Sequence, residues 1–364
     1  MSQLLWDPGL ESRLKAKLDP ILTAQSLYFP DLPPAAEAWI VHAMARSSGN
    51  TVIWITDDAR TLESRARDFQ TLTPPGGLPP LLFPSWEVLP SKTVSAPEPG
   101  VVGARMECLA ALADAKPRLI VTCAQALMER TLSPGVFKAY SRTLRQGDAF
   151  DPSDLTTVLE QSGYLFSAEV QSPGEAARRG GILDVWPLSA SAPLRLEFFG
   201  SVLESIREFD PLEQQSTKPC CEALLTPAGE WKLLHAAPNN GAFLLSHIPC
   251  GGLILIWSDL DAIRQRADTY ESAAREAKAG LLVGRLGDIE ADLRTRPATR
   301  QFFVGSGPDS SLPPVDLDFR AVDSMPSVTA RHALHPDIIE TTRRHFLNTT
   351  ATGMKAGIQT CFCF

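Results

Sequence analysis

The sequence of 364 residues carries 34 basic against 42 acidic side chains, a formal charge of −8, with 44% apolar and 21% charged residues. That length allows two or three domains with cores of their own, and the composition is that of a folded globular protein. A negative net charge argues against a chain whose main work is gripping phosphate backbones, since such affinity scales with the phosphates that Lys and Arg neutralise. DNA contact is therefore expected to be weak or absent. The first residues, MSQLLWDPGLESRLKAKLDP, lack the apolar run of a signal peptide. No segment reaches the roughly 18 apolar residues of a membrane span, so a cytoplasmic chain with no membrane partner is expected.

In chain order, Ala36, Trp39, Ile40, Ala43 and Met44 keep the spacing of a helix with one buried stripe, and Thr51 to Thr56, TVIWIT, reads as a buried strand. The alternation repeats. Asp58 to Phe69 reads as helix, Leu81 to Phe83 as strand, Gly103 to Ala113 as helix, Leu119 to Cys123 as strand, and Ala124 to Arg130 as helix. Strands alternating with helices predict a covered, mostly parallel sheet over residues 1–140. Eight prolines between Thr71 and Gly100 make that connection an extended loop.

Near residue 141 the texture changes. Asp151 and Pro152 are placed as N-cap and first helical residue, Leu155, Val158 and Leu159 give the buried stripe, and Gly163 ends the helix. Gly181 to Trp186 and Leu194 to Phe199 then read as two strands of a hairpin in a small α+β unit whose sheet is mainly antiparallel. On the second strand Leu194, Leu196 and Phe198 share one face, while Arg195, Glu197 and Phe199 share the other. A core needs only the first face. Phe199 beside a guanidinium on the outward face has the make-up of a protein-binding hot spot; the plainer alternative is a ring packed under a neighbouring loop. Between Asp151 and Thr217 there are eleven acidic and four basic residues, and all four basic ones are arginine. Arginine can pair bidentately with carboxylates, and the plain alternative is that Arg195 or Arg207 pairs with a neighbouring Glu on the sheet.

From about residue 218 the α/β texture returns, with strands at Ala242 to Leu245, Leu253 to Trp257, Leu281 to Leu286 and Gln301 to Val304, and a helix from Leu260 to Ala279. His335-Pro336 opens a further helix, and the chain closes on IQTCFCF. An apolar tail over 348–364 reads as a truncation point within a longer protein. Seven cysteines, at 108, 123, 220, 221, 250, 361 and 363, form no CxxC pair, and most read as small buried hydrophobes. Cys220, Cys221, Cys361 and Cys363 are the ones whose adjacency or ending position leaves metal binding or oxidation open. His332 and His335 are three apart, but Pro336 biases His335 away from helical geometry, so no metal site is expected.

A resemblance becomes specific in the hairpin region. Gly174-Glu175, Arg179-Gly180, Ile182-Leu183-Asp184, Pro187, Arg195-Leu196-Glu197-Phe198-Phe199, Ser205-Ile206-Arg207, Phe209-Asp210 and Gln215-Ser216 resemble domain 2 of bacterial transcription-repair coupling factors and of the excinuclease protein UvrB. The stretch Phe83 to Pro90 is similar to the coupling factor's first domain. The resemblance implies a degenerate parallel α/β, RecA/helicase-like domain with an inserted small α+β UvrB-interaction domain. Its divisions would be 1–140 as domain 1a, 141–217 as the docking domain, and 218–347 as domain 1b. It also implies UvrA, the damage-sensing ATPase of the excinuclease, as partner, with Arg179, Arg195 and Phe199 as the binding residues. Arg178 is a neighbour that the pattern does not require.

The ATP-driven relatives carry a phosphate-binding loop. Where UvrB has it, this chain reads Asp31-Leu32-Pro33-Pro34-Ala35-Ala36, in which prolines remove amide donors and neither Lys nor Ser/Thr follows. Asp57-Asp58 after TVIWIT reads as a helix cap. Residues 91–105 contain no aromatic ring that could stack on a base as the hairpin of UvrB does. These departures predict a non-enzymatic adaptor with no cofactor and no metal. RNA polymerase and DNA would be bound by modules of such proteins that are absent here. The alternatives are a nucleotide-dependent enzyme like UvrB, or a non-functional fragment of a longer coupling factor.

Overall fold

The computed structural model describes residues 23–30, 32, 34–73, 79–90, 96–249, 251–307, 312 and 314–315. Asp31, Pro33, Cys250, His332, His335, Cys361, Cys363 and the tail 348–364 lie outside the described residues.

The first part of the chain forms β1 (Ser26–Phe29), α1 (Pro34–Ser47), β2 (Thr51–Thr56), α2 (Ala59–Leu72), β3 (Leu81–Phe83), α3 (Pro99–Leu112), β4 (Leu119–Cys123), α4 (Ala124–Met128), β5 (Thr131–Leu132) and α5 (Pro134–Tyr140). A second unit follows: β6 (Arg142–Arg145), α6 (Pro152–Gln161), β7 (Leu165–Phe166), β8 (Glu175–Arg179), β9 (Ile182–Val185), β10 (Leu194–Phe199), β11 (Val202–Phe209), β12 (Ser216–Pro219) and β13 (Glu222–Leu225). The last part adds α7 (Glu230–Ala236), β14 (Gly241–Ala242), β15 (Leu253–Ser258), α8 (Leu260–Glu276), α9 (Leu286–Arg294) and β16 (Thr299–Val304).

One six-stranded sheet runs β1-β16-β15-β2-β4-β3, every pair parallel. Its central strand β2 pairs with β15 on one side and β4 on the other, so the first and last parts of the chain share one sheet. They share one core as well, in which Trp54, Phe83 and Ile120 pack in a single cluster with Ile256, Ile263 and Phe302. All six residues of β2 are buried, as expected of a strand covered on both faces by helices. The stripe of α1 faces this core, and Asp58 caps α2 by accepting from the Thr61 amide at 2.9 Å.

Three expectations shift. Ala242 to Leu245 is not one strand, because β14 ends at Ala242 and Leu244–His247 forms a 3₁₀ turn. Leu281 to Leu286 is no strand either. Leu282 and Gly284 make only a local bridge with Arg130 and Met128, and Phe243 packs so closely on Gly284 that a side chain there would collide with its ring. Helix α9 was not foreseen, although Leu286, Ile289 and Leu293 keep helical spacing and are buried.

The second unit is a six-stranded sheet, β12-β11-β10-β9-β8-β7, antiparallel except for β7 against β8. Its inner face buries Leu183, Val185, Leu194, Leu196, Leu203 and Ile206 against Leu155 and Leu159 of α6. A close contact holds it to the α/β body. Gly103 of α3 lies against the carbonyl of Leu188 so closely that a Cβ there would collide with it. A helical Gly→Ala change normally gains about 1 kcal/mol. Here overpacking should outweigh that, and Gly103→Ala should cost about 1–2 kcal/mol. Urea unfolding checks the sign, and a stabilised variant would refute the contact.

Within the α/β body, a buried ion cluster joins the first part of the chain to the last. Arg105 of α3 has no solvent exposure, nor have Glu129 and Glu230. Its Nη1 donates to Glu129 Oε2 at 3.0 Å and to the Pro84 carbonyl at 2.9 Å, while Nη2 donates to Glu230 Oε1 at 2.9 Å. Its Nε reaches Glu230 Oε2 at 3.1 Å. The guanidinium lies 4.1 Å from the Phe83 ring centroid and 4.8 Å from that of Trp86. Glu129 also accepts from Ser85 Oγ, the Trp86 amide and the Tyr270 hydroxyl.

His42 of α1 is buried against Phe69, with ring centroids 5.1 Å apart. Burial, with the like charge of Arg46 added, lowers its pKa from 6.5 to about 4. The unfolded chain therefore takes a proton that the folded chain refuses. Stability from this group is complete above pH 6.5 and is lost as the pH falls toward 4, by about 2–3 kcal/mol. Urea unfolding at stepped pH should show that loss, and His42→Gln should flatten it. Equal pH slopes for the two proteins would remove His42 as the cause.

Candidate docking face

The register of β9, β10 and β11 sets out the outer face of the second sheet. Ala177 pairs with Asp184, Asp184 with Arg195, and Arg195 with Arg207, so these residues form one cross-strand row. Arg179, Ile182, Glu197 and Ser205 form the next row. An extra residue, Glu204, interrupts β11 where the register shifts beyond Glu197, and the hairpin then closes on the pair Phe199 and Val202. Gly200, at φ +61°, makes the turn.

Inward and outward residues fall as the alternation predicts: Leu194 and Leu196 are buried, Phe198 packs on the inner core, and Phe199 is 76% exposed. Among the described residues no loop covers Phe199. The outer face nevertheless has a small core of its own, contrary to the expectation that a single face would suffice. Val170, Ala177 and Phe209 are buried there with Trp186 packed against them. The cause is the chain on either side folding back. Gln214, at φ +56°, donates from its side chain to the carbonyls of Val170 and Pro211 and ties the 210–215 loop across the sheet.

Arg195 belongs to that covered region. Its Nε and Nη2 donate to the two Asp184 oxygens at 2.8 and 2.9 Å, and Nη1 donates to the Gln214 carbonyl at 3.1 Å. Its guanidinium stacks 4.7 Å from the Phe209 ring centroid. Only 16% of the side chain is exposed, and the carboxylate it grips is 1% exposed. Hydrogen bonding to Asp184 raises the Arg195 pKa and holds the charge in place. Pairing with a surface Glu is thus the arrangement of Arg207, 3.3 Å from Glu197, and not of Arg195.

Arg179 is more open, with 49% of its side chain exposed. It reaches Glu169 and Asp184 at 3.7 Å each and Gln214 Oε1 at 3.4 Å, so its donors are loosely engaged. Arg178 donates to Ser153 Oγ at 3.1 Å. The structure thus brings Arg179 and Arg195 together around Asp184, whereas Phe199 lies four residues farther along β10, about 13 Å from Arg195. Two exposed apolar residues on this face escaped the sequence reading, Ile182 and Val202. The signal for Ile182 was its alternation with Leu183, and for Val202 its place opposite Phe199 across a Gly-Ser turn.

Residues 143–231 match the family described as the UvrB interaction domain. The chain carries a UvrB interaction domain. The matched span runs past residue 217 to include β13, whose residues pair with β6, and Glu230 of the buried ion cluster. Over 198 residues, 54% of its length, the chain is 30% identical to a transcription-repair-coupling factor of Haemophilus influenzae. It is 26% identical over 220 residues to that of Bacillus subtilis and 36% identical over 152 residues to that of Myxococcus xanthus. The matched stretches cover 17%, 18% and 12% of those relatives. These matches relate the chain to the N-terminal region of the coupling factors.

The other place to seek chemistry is the carboxyl end of the parallel sheet, where open α/β sheets bind nucleotides. Glu37, on the first turn of α1, is buried there, accepting from Trp54 Nε1 at 2.8 Å and pairing with Arg65 at 2.9 Å. Ser258, the last residue of β15, also donates to Glu37. Asp57 and Asp58 follow β2, and Asp259 and Asp261 follow β15. Among the described residues no cluster of His, Cys, Asp or Glu is placed to hold a metal ion, and no helix is long and apolar enough to cross a membrane.

Proposed function

We propose that the chain is a non-enzymatic adaptor that binds UvrA in transcription-coupled nucleotide excision repair, through the outer face of β9, β10 and β11. The observation that carries this reading is Phe199, an aromatic ring 76% exposed at the tip of a hairpin within the UvrB interaction domain. A large exposed ring is a common anchor of protein interfaces, and the loosely held guanidinium of Arg179 lies elsewhere on the same sheet face. The adaptor reading is supported by the segment Asp31-Leu32-Pro33-Pro34-Ala35-Ala36, whose prolines and lack of Lys depart from a phosphate-binding loop. In this reading residues 1–140 and 218–347 are a degenerate α/β body that carries the docking unit.

Calorimetric titration tests both halves of the proposal. UvrA should bind saturably, excess chain should displace labelled UvrB from it, and ATP with Mg²⁺ should give no binding heat. Failure of the folded chain to bind UvrA would sink the adaptor reading, and a saturable ATP isotherm would sink its non-enzymatic part.

A further inference from the structure

We infer that Arg195 is a positioning residue, and that the surface meeting the partner is an apolar patch of Phe199, Val202 and Ile182 with Arg179 at its edge. The inference rests on the reading that this face meets UvrA. Arg195 has little left to offer a partner. Three of its donors are taken at 2.8–3.1 Å, and the carboxylate it holds is buried. What it does is clamp β10 to β9 through Asp184 and hold the 210–215 loop through the Gln214 carbonyl.

The exposed apolar surface lies beyond that clamp. Phe199 and Val202 are cross-strand partners, 76% and 43% exposed, and Ile182, at 38%, faces outward on β9 diagonally from Phe199. Glu197, the nearest outward acid on β10, is engaged by Ser205 and Arg207, and Glu204 stands exposed in the bulge of β11 at the border of the patch. Arg179 is the guanidinium with loosely held donors. The complementary surface on UvrA is therefore an apolar socket with a carboxylate at its border, facing Arg179.

Affinity for UvrA, measured with melting curves on the same preparations, tests the division. Ile182→Asp and Val202→Asp should each weaken binding about ten-fold with melting unchanged, since both side chains are exposed. Asp184→Asn, Arg195→Ala and the double variant should lose affinity to within about three-fold of one another, because each breaks the same clamp. Wild-type affinity in Asp184→Asn beside a large loss in Arg195→Ala would make Arg195 a direct contact and overturn the assignment. Undiminished binding by both aspartate variants beside a loss in Phe199→Ala would overturn the patch while leaving the adaptor reading intact. If the Asp184 variants do not fold, the Ile182 and Val202 arms decide. No binding by the folded wild-type chain would instead defeat the adaptor reading itself.

Discussion

Replacing Arg105 by Met should cost about 4 kcal/mol of stability at neutral pH. The side chain is close in volume, so packing changes little. What is left behind is a pair of carboxylates, Glu129 and Glu230, without their cation and without access to water. Burial already pushes Glu129 up to about 7 even though Arg105 pulls it down. Without Arg105 the Glu129 carboxyl should take a proton instead of staying charged, so the cost should shrink as the pH falls toward 5. Adding Glu129→Gln and Glu230→Gln to Arg105→Met should recover part of the loss. Urea unfolding at pH 8 and pH 5.5 reads these differences, and a variant within about 1 kcal/mol of wild type at pH 8 would show that the cluster does not hold the fold.

Phe199→Ala should lower affinity for UvrA by about 2 kcal/mol or more, roughly thirty-fold, while leaving stability within about 0.5 kcal/mol of wild type. The two halves of this expectation follow from one fact. The ring is 76% exposed, so folding draws little from it and an interface can draw much. Calorimetric titration paired with urea unfolding measures both. Loss of stability in place of affinity would mean that the ring serves the hairpin turn.

The alternation of β10 was legible because a period of two needs only one strand, and the buried or exposed state of Leu194, Leu196 and Phe199 follows from it. The parallel sheet was legible for a similar reason, since TVIWIT and LILIW are continuous apolar runs. The engagement of Arg195 was not. It depends on the register that puts Asp184 opposite Arg195, and the long connection between β9 and β10 leaves that register open in the sequence. The small outer core was hidden as well. Phe209 reads as one more alternating residue of β11 until the 210–215 loop folds over it. Arg105 and Glu230 stand 125 positions apart, and nothing local marks either as buried.

The ribbon of β6 and β13 has a consequence for how the docking unit is carried. Arg142 pairs with Leu225 and Arg145 with Glu222, so the strand entering the unit and the strand leaving it run side by side. Paired Cα atoms in an antiparallel ladder are about 5 Å apart. Seen from the α/β body, the two ends of the insertion are therefore as close as those of a tight turn, and Leu188 against Gly103 adds a further hold beside this neck. A partner pulling on the tip of the unit would load two adjacent strands that share the force.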